Sequence, residues 1–360
     1  MLNQSDYIKA LRPHLPPQAF APNHNKLLIL GINLLILFLG WTIAQKLLLW
    51  SPVWLWLYLP LTLIMGNSII VLLFTTHDMM HGSVIKNPRL TDLIALLGLA
   101  LLWMPPTLWK SVHNRQHHNQ TNSLQDPDRS YLTDQPKTWG KWIQNLVIPS
   151  AEVNGLFLAF GMATAWGTHT FRHLTSILFF NHADVNYVPA AVVVSAKKRR
   201  VIAIETIAIA AIHLSILWYI HNPIGILLGY LFPIFMGYAG VMFYIYTNHF
   251  LCPMTEVNDP LLNSVSLRMP KIFDLLHFNF SYHTEHHIFP GLNSDYYPAV
   301  QELLQTHYPD RFNLIPAAKA WQLLLGTPRH YRDPQTLTDW KDLKTAACPT
   351  ISRSVKQSIS

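Results

Sequence analysis

The sequence predicts an all-α integral membrane protein: four transmembrane helices in two hairpins, with a cytosolic helical cap that carries three histidine clusters. Three observations lead there. Half of the 360 residues are hydrophobic and only 12% are charged, roughly half the charged fraction of an ordinary soluble domain. The charges avoid two long stretches, with Lys46 alone between Leu27 and Thr76 and Glu205 alone between Val201 and Phe250. The chain also holds 19 histidines, and the clustered ones lie outside the apolar stretches or at their ends. High apolar content with a net charge of only +7 excludes disorder as the main state. Two cysteines, Cys252 and Cys348, exclude a disulfide scaffold, a Cys-rich zinc module and an Fe–S ferredoxin.

Taken in order, Met1–Lys26 mixes prolines with polar residues and lacks the features of a signal peptide, so it is expected to be a cytosolic extension. A bilayer core of about 30 Å needs about 20 apolar residues in a helix. Leu27–Ala44, Val53–Phe74, Val201–Ile220 and Ile224–Tyr246 meet that need. They pair through short connections, Leu49–Pro52 and His221–Pro223, which gives the two hairpins. Trp50, Trp54, Trp56 and Tyr58 gather at the first connection, and Trp218 and Tyr219 beside the second; such rings favour the membrane–water boundary. The run Lys197-Lys198-Arg199-Arg200 precedes the third span and marks the cytoplasmic side. Both termini and the middle segment are then cytoplasmic. Leu93–Met104 and Gly155–Trp166 would reach only about 18 Å as helices, too short to cross, and are expected to be interfacial or re-entrant. Arg172, His169 and His173 argue against joining Gly155–Trp166 to Leu174–Phe180. The membrane domain is taken as 27–345, and 346–360, rich in Ser, Thr and Lys, as a loose tail. Topology and contact with anionic lipid account for the basic balance, and no nucleic-acid module is present.

The histidine clusters carry the chemistry. They are His77-Asp78-Met79-Met80-His81, His113-Asn114-Arg115-Gln116-His117-His118, and His283-Thr284-Glu285-His286-His287. On an α-helix, residues four apart share a face. His77 pairs with His81, and His113 with His117, leaving His118 about 100° round the helix. His283 aligns with His286 or His287. Imidazole suits iron, zinc and copper, and eight imidazoles exceed what one four-coordinate zinc needs. They fit two metal ions with open positions. Two spans separate the second and third clusters, so those two share one membrane boundary. Asp78 and Glu285 are expected to hold the outer nitrogens of the ligands, and Asp126 and Asp128 to do the same or to serve the loop. His213 lies inside the third span, where a packed, hydrogen-bonded role is expected.

At these residues the chain resembles the membrane fatty acid desaturase superfamily. The boxes stand as HDMMH, HNRQHH and HTEHH, with HHNQTNSLQDPDRSY after the second and YHTEHHIFPGLN around the third. The likeness covers roughly Thr75–Pro298. It implies a non-haem di-iron site held by histidines, four transmembrane helices with a cytosolic cap, and use of O2 to remove hydrogen from an unactivated methylene. It makes His249 a ninth candidate ligand, beside Asn248, which would hold a metal-bound water or orient a ligand; His277 is a weaker candidate. The substrate would be a fatty acyl lipid or acyl thioester. With no Rossmann fingerprint, Cys cluster or haem motif of its own, the chain would draw electrons from ferredoxin or a b-type cytochrome. Lipid hydroxylases and carotenoid ketolases or hydroxylases share such boxes and stay open as alternatives. A non-enzymatic metal carrier is the third reading, and it requires ligands along a path through the membrane.

Overall fold

A computed structural model describes residues 2–128, 142–143, 146–180, 192–339 and 341–351. Helix α1 (Gln4–Leu11) starts at Asn3, whose side chain accepts from the Asp6 N–H while Asp6 returns a bond to the Asn3 backbone. That reciprocal cap satisfies two donors of the first turn. The long helices follow: α2 (Asn25–Ala44), α3 (Leu59–Met80), α4 (Pro88–Ala100), α5 (Gly155–Phe179), α6 (Ala196–Ile220) and α7 (Phe232–His249).

Among the described residues, four segments are long and apolar enough to cross a membrane: Asn25–Leu49, Pro52–Met80, Ala196–Ile220 and Pro223–His249. Each contains one expected span. The first and third are 28% and 22% buried, the second and fourth 61% and 44%, so the outer pair presents apolar side chains and the inner pair forms the core. The inner helices meet through small residues. A Cβ on Gly66 would lie 2.9 Å from Met236 Cβ, and one on Gly237 2.7 Å from Ile69 Cγ2. Absent side chains let the two backbones approach, as in membrane helix pairs generally.

The ends of the segments interlock. Gln45 Nε2 donates to the Tyr219 carbonyl at 2.9 Å, and Asn222 Nδ2 to that of Ala44 at 3.1 Å. Tyr58 Oη donates to the Gly40 carbonyl at 2.8 Å, and Trp41 Nε1 to that of Gly229 at 3.1 Å. Chain connections that a bilayer core would leave unsatisfied thus find partners in one another.

Three expectations change. Gly155–Trp166 does join the apolar residues beyond it: α5 is one helix of 25 residues with His169, Arg172 and His173 inside it. These polar side chains are accommodated because they face a polar cluster described below. The helix is not among the four segments apolar enough to span. The expectation of an all-helical chain also needs amending. Short strands β1 (Ser266–Arg268) and β2 (Leu314–Pro316) pair in parallel, and β3 (His330–Asp333), β4 (Thr336–Thr338) and β5 (Thr345–Ala347) form an antiparallel sheet. These segments are too short and too mixed in polarity to show a strand alternation in sequence. The expected tail boundary falls within β5, and 352–360 lie outside the described residues, as do residues 129–131 of the stretch after the second box. Third, the second box is π-helical, Lys110–His117, where an α-helix was expected.

His213 is held at both nitrogens, by Tyr230 Oη at 2.6 Å and the Ala100 carbonyl at 2.9 Å. It is a packed residue, as expected.

The connection end yields a test. A Cβ on Gly225 would meet the Ala44 carbonyl oxygen at 2.3 Å, a backbone atom that cannot swing aside. Gly225→Ala should destabilise the protein by about 1–3 kcal/mol, lowering its thermal midpoint in detergent. Gly31→Ala, with nothing within 4 Å of its Cβ position, should leave the midpoint unchanged or slightly raised.

Candidate metal centre

Four elements deliver the histidines to one place. Helix α3 runs on past its apolar residues far enough to carry His77, with His81 capping its C-terminus. The π-helical stretch Lys110–His117 carries the second box. Helix α7 ends at His249. Helix α8 (His283–Ile288) is the third box itself. The ligand atoms of His77, His81, His113, His118 and His286 lie within 4.8 Å of one another, as do those of His117, His249 and His287. His283 joins the second group, its Nε2 2.7 Å from His249 Nε2 and 3.2 Å from His287 Nε2.

The π-helix decides which histidine joins which group. Its bonds run i to i−5, and the His118 N–H donates to the His113 carbonyl. His113 and His118 therefore align, with Nε2 atoms 3.2 Å apart, while His117 turns to the other group. The α-helical pairing of His113 with His117 is replaced by this one. In the third box His283 aligns with His287, and His286 turns to His118 at 3.2 Å.

Five of the nine outer nitrogens have partners close by. His117 Nδ1 lies 3.1 Å from both oxygens of Asp126, and His249 Nδ1 3.2 Å from the Asn263 carbonyl. His77 Nδ1 faces Asp78 Oδ1 at 3.2 Å, His286 Nδ1 the Tyr297 hydroxyl at 3.0 Å, and His287 Nδ1 Thr121 Oγ1 at 3.3 Å. Carbonyls and ionised carboxylates only accept, which places the proton on Nδ1 of His117, His249 and His77. Their Nε2 lone pairs then point inward. The inner Nε2 atoms of His77 and His81 are buried without a hydrogen-bond partner. The close Nε2 pairs, at 2.7–3.2 Å, each need a ring proton or a cation between the two nitrogens. Metal–imidazole bonds of about 2.0–2.1 Å put neighbouring ligand nitrogens about 3 Å apart. The donor set fits two metal ions. Burial lowers His81, His118, His283, His286 and His287 well below the ordinary imidazole range and His113 to about 3, which keeps them in the neutral, ligating form. Burial opposes charge on His117 too, but Asp126 outweighs it and raises that imidazole.

Of the other expected residues, Asp78 and Asp126 do hold imidazoles. Glu285 instead turns to the Ser266 hydroxyl and to Gln301 Nε2, and burial raises it to about 7. His277 is taken up by Tyr244 Oη at 2.8 Å and Asn67 Oδ1 at 3.0 Å. Asn248 is fully buried, and neither polar atom of its side chain has a partner among the described residues.

Sequence reading missed His169 and His173 as site residues. With Asp128 they form a third close group, His169 Nε2 lying 3.0 Å from Asp128 Oδ1 and 3.2 Å from His173 Nε2. Arg172 Nη2 sits 3.2 Å from that same His173 nitrogen, where a cation would be repelled. The group is therefore a brace for Asp128, whose other oxygen faces His113 Nδ1 at 3.6 Å. The four-residue spacing of His169 and His173 was the one signal available.

Beneath the imidazoles is a cavity with about 930 Å³ of empty space, its open part included. Leu73, Phe74, Leu108, Met242, Ile245 and Phe250 give it an apolar lining, and His77, His113, His117, His249 and His283 line it too. Asn248 is not among its lining residues.

A model of the family described as fatty acid desaturase matches residues 48–315, well over half of the chain. The match takes in all three boxes and His249.

Asp126→Asn should weaken metal binding about 10–100-fold, the usual effect of losing the carboxylate behind a ligating histidine. Titration of the purified apoprotein with Fe(II) against a chelator reads it, and unchanged affinity would remove Asp126 from this role.

Proposed function

Because the chain belongs to the fatty acid desaturase family, we propose that it is an acyl-lipid desaturase. It would introduce a double bond into a fatty acyl chain, with O2 and two external electrons. The family is one of membrane-bound oxidoreductases of the di-iron type, and four apolar helices make this chain a membrane protein. The observation that carries the finer reading is the gathering of nine imidazoles, five of which line one largely apolar cavity.

In this reading His77, His81, His113, His118 and His286 hold one iron, and His117, His249, His283 and His287 the other. Iron bound there supplies O2 reduction and removal of hydrogen from an unactivated methylene, chemistry that belongs to the cofactor. Overall, one CH2–CH2 unit loses two hydrogens, and O2 takes these with two electrons and two protons to leave as two waters. The chain's own residues set the conditions. Leu73, Phe74, Met242 and Ile245 accept an apolar chain and keep bulk water from it, which guards against side reactions. Asp78, Asp126, Asn263 and Tyr297 fix the imidazole rings from behind. Asp128, braced by His169 and His173, steadies His113. Asn248, one residue before His249, is assigned an orienting role towards the ligand set.

The expected topology goes with this reading: two hairpins, with termini, boxes and a helical cap on the cytoplasmic side. Lys197–Arg200 at the start of α6 supports it, as do the exposed rings of Trp54, Trp56 and Trp218 near the opposite connections. The electron donor is a separate protein, ferredoxin or a b-type cytochrome, and the substrate an acyl lipid or acyl thioester. A metal carrier would need ligands along the membrane path. His213, the histidine within the third span, has both nitrogens engaged, which counts against that role.

Expression in a host with a defined lipid profile tests the proposal. Wild type should yield a new unsaturated acyl species, and His117→Ala and His286→Ala none. Oxygenated lipid or a carotenoid ketone with no new double bond would replace desaturation with hydroxylation or ketolation at the same centre.

A further inference from the structure

Lys26 lies at the start of α2, before the matched residues 48–315, and is only 2% exposed. Its Nζ is 2.5 Å from Asp78 Oδ2 and 2.5 Å from Ser294 Oγ. The other oxygen of the same carboxylate, Asp78 Oδ1, is the one that faces His77 Nδ1 at 3.2 Å. An ammonium, a carboxylate and a candidate ligand thus stand in line, all buried. An ion pair removed from water is costly unless its geometry is good and its remaining bonds are made. Joining the N-terminal segment to the rest of the protein does not require such a pair, because other bonds already do so. Gln4 Nε2 donates to the His287 carbonyl at 2.7 Å, and the Asn23 N–H to that of Ser83 at 2.8 Å. Asn293 N–H donates to the Ala19 carbonyl at 2.9 Å, and Tyr7 Oη to Asp259 Oδ1 at 2.9 Å.

We propose that Lys26 is a positioning residue of the metal centre, acting on His77 through Asp78, so that the N-terminal segment is part of the site's scaffold. The inference rests on reading the histidines as iron ligands. Lys26, itself held by the Ser294 hydroxyl, holds Oδ2, which leaves Oδ1 to set the ring plane of His77 and the position of its outer proton. Balanced by the ammonium, the carboxylate stays ordered beside a ligand in a dry place. Without the ammonium it is a lone buried charge with one imidazole for company, and it turns towards any donor in reach.

The test uses the full chain in detergent, loaded with Fe(II) alone. Two measurements are made: iron affinity against a chelator, and the Mössbauer spectrum of the 57Fe-loaded protein. Lys26→Met should bind at least one iron about 10–100-fold more weakly, with an altered quadrupole splitting. Lys26→Arg should restore most of the affinity. Tyr7→Phe, which removes an anchor of the same segment to Asp259, should match wild type in both measurements. If circular dichroism and gel filtration show that Lys26→Met does not fold, Lys26→Gln takes its place, polar but uncharged, with the same loss expected. Wild-type affinity and spectrum in the uncharged variant would overturn the proposal. So would an equal loss in Tyr7→Phe, which would assign the effect to the segment as a whole. A wild-type protein that binds no iron would instead overturn the reading of the site itself.

Discussion

Crowded imidazole lone pairs are the constraint on which the rest of this structure depends. Nine histidine rings converge, several with nitrogens near 3 Å from one another. Each such contact needs a ring proton or a cation between the two nitrogens. The protein holds five of the rings by fixing the other side of each, with carboxylates at His77 and His117, a backbone carbonyl at His249, and hydroxyls at His286 and His287. Each outer bond settles a tautomer and a ring orientation together. Cations bound at the centre would turn these close contacts into coordination.

That requirement explains choices in the backbone. A regular α-helix through Lys110–His117 would put His113 and His117 on one face, with His118 turned away. The π-helical winding spreads the box over both groups instead. Irregular winding of this kind weakens a helix and is found mostly at functional sites. Helix α3 has the complementary task. It remains regular as it leaves the apolar layer, so His77 and His81 keep their one-turn spacing and stay in a single group.

Legibility in the sequence followed the range of each interaction. The spans were readable because twenty apolar residues in a row are a local property. The boxes were readable because ligand spacing within one turn is local too. His249 came from the resemblance and not from spacing, and the structure brings it to His283 and His117. Partners that are distant in sequence left no such trace. Tyr297, Thr121 and Lys26 reach the rings from other elements, and His169 and His173 act through Asp128, which the sequence had offered as a partner of the rings or a loop residue. Helix α5 was misread for a related reason. Its central histidines and arginine look like a break in an apolar run, and only the polar group they face explains why the helix continues. Glu285 shows the opposite error: adjacency to two box histidines suggested contact with the rings, yet its helix turns it outward to Ser266 and Gln301.

The outer membrane helices also bear on the cavity. Residue Trp103 stands at a positive φ of 53°, a conformation costly for a bulky side chain. It is kept there by stacking on His213, at 4.2 Å between ring centroids and 9° between planes. The same imidazole bonds the Ala100 carbonyl at the end of α4. Leu101 and Leu102 give their carbonyls to Tyr238 of α7 and Trp166 of α5. The turn after α4 is thereby fastened to α5, α6 and α7, and it leads directly to Met104, which lines the cavity. A polar residue within the third span therefore helps fix the shape of an apolar pocket, which is why its burial calls for neither a metal nor a conduction path.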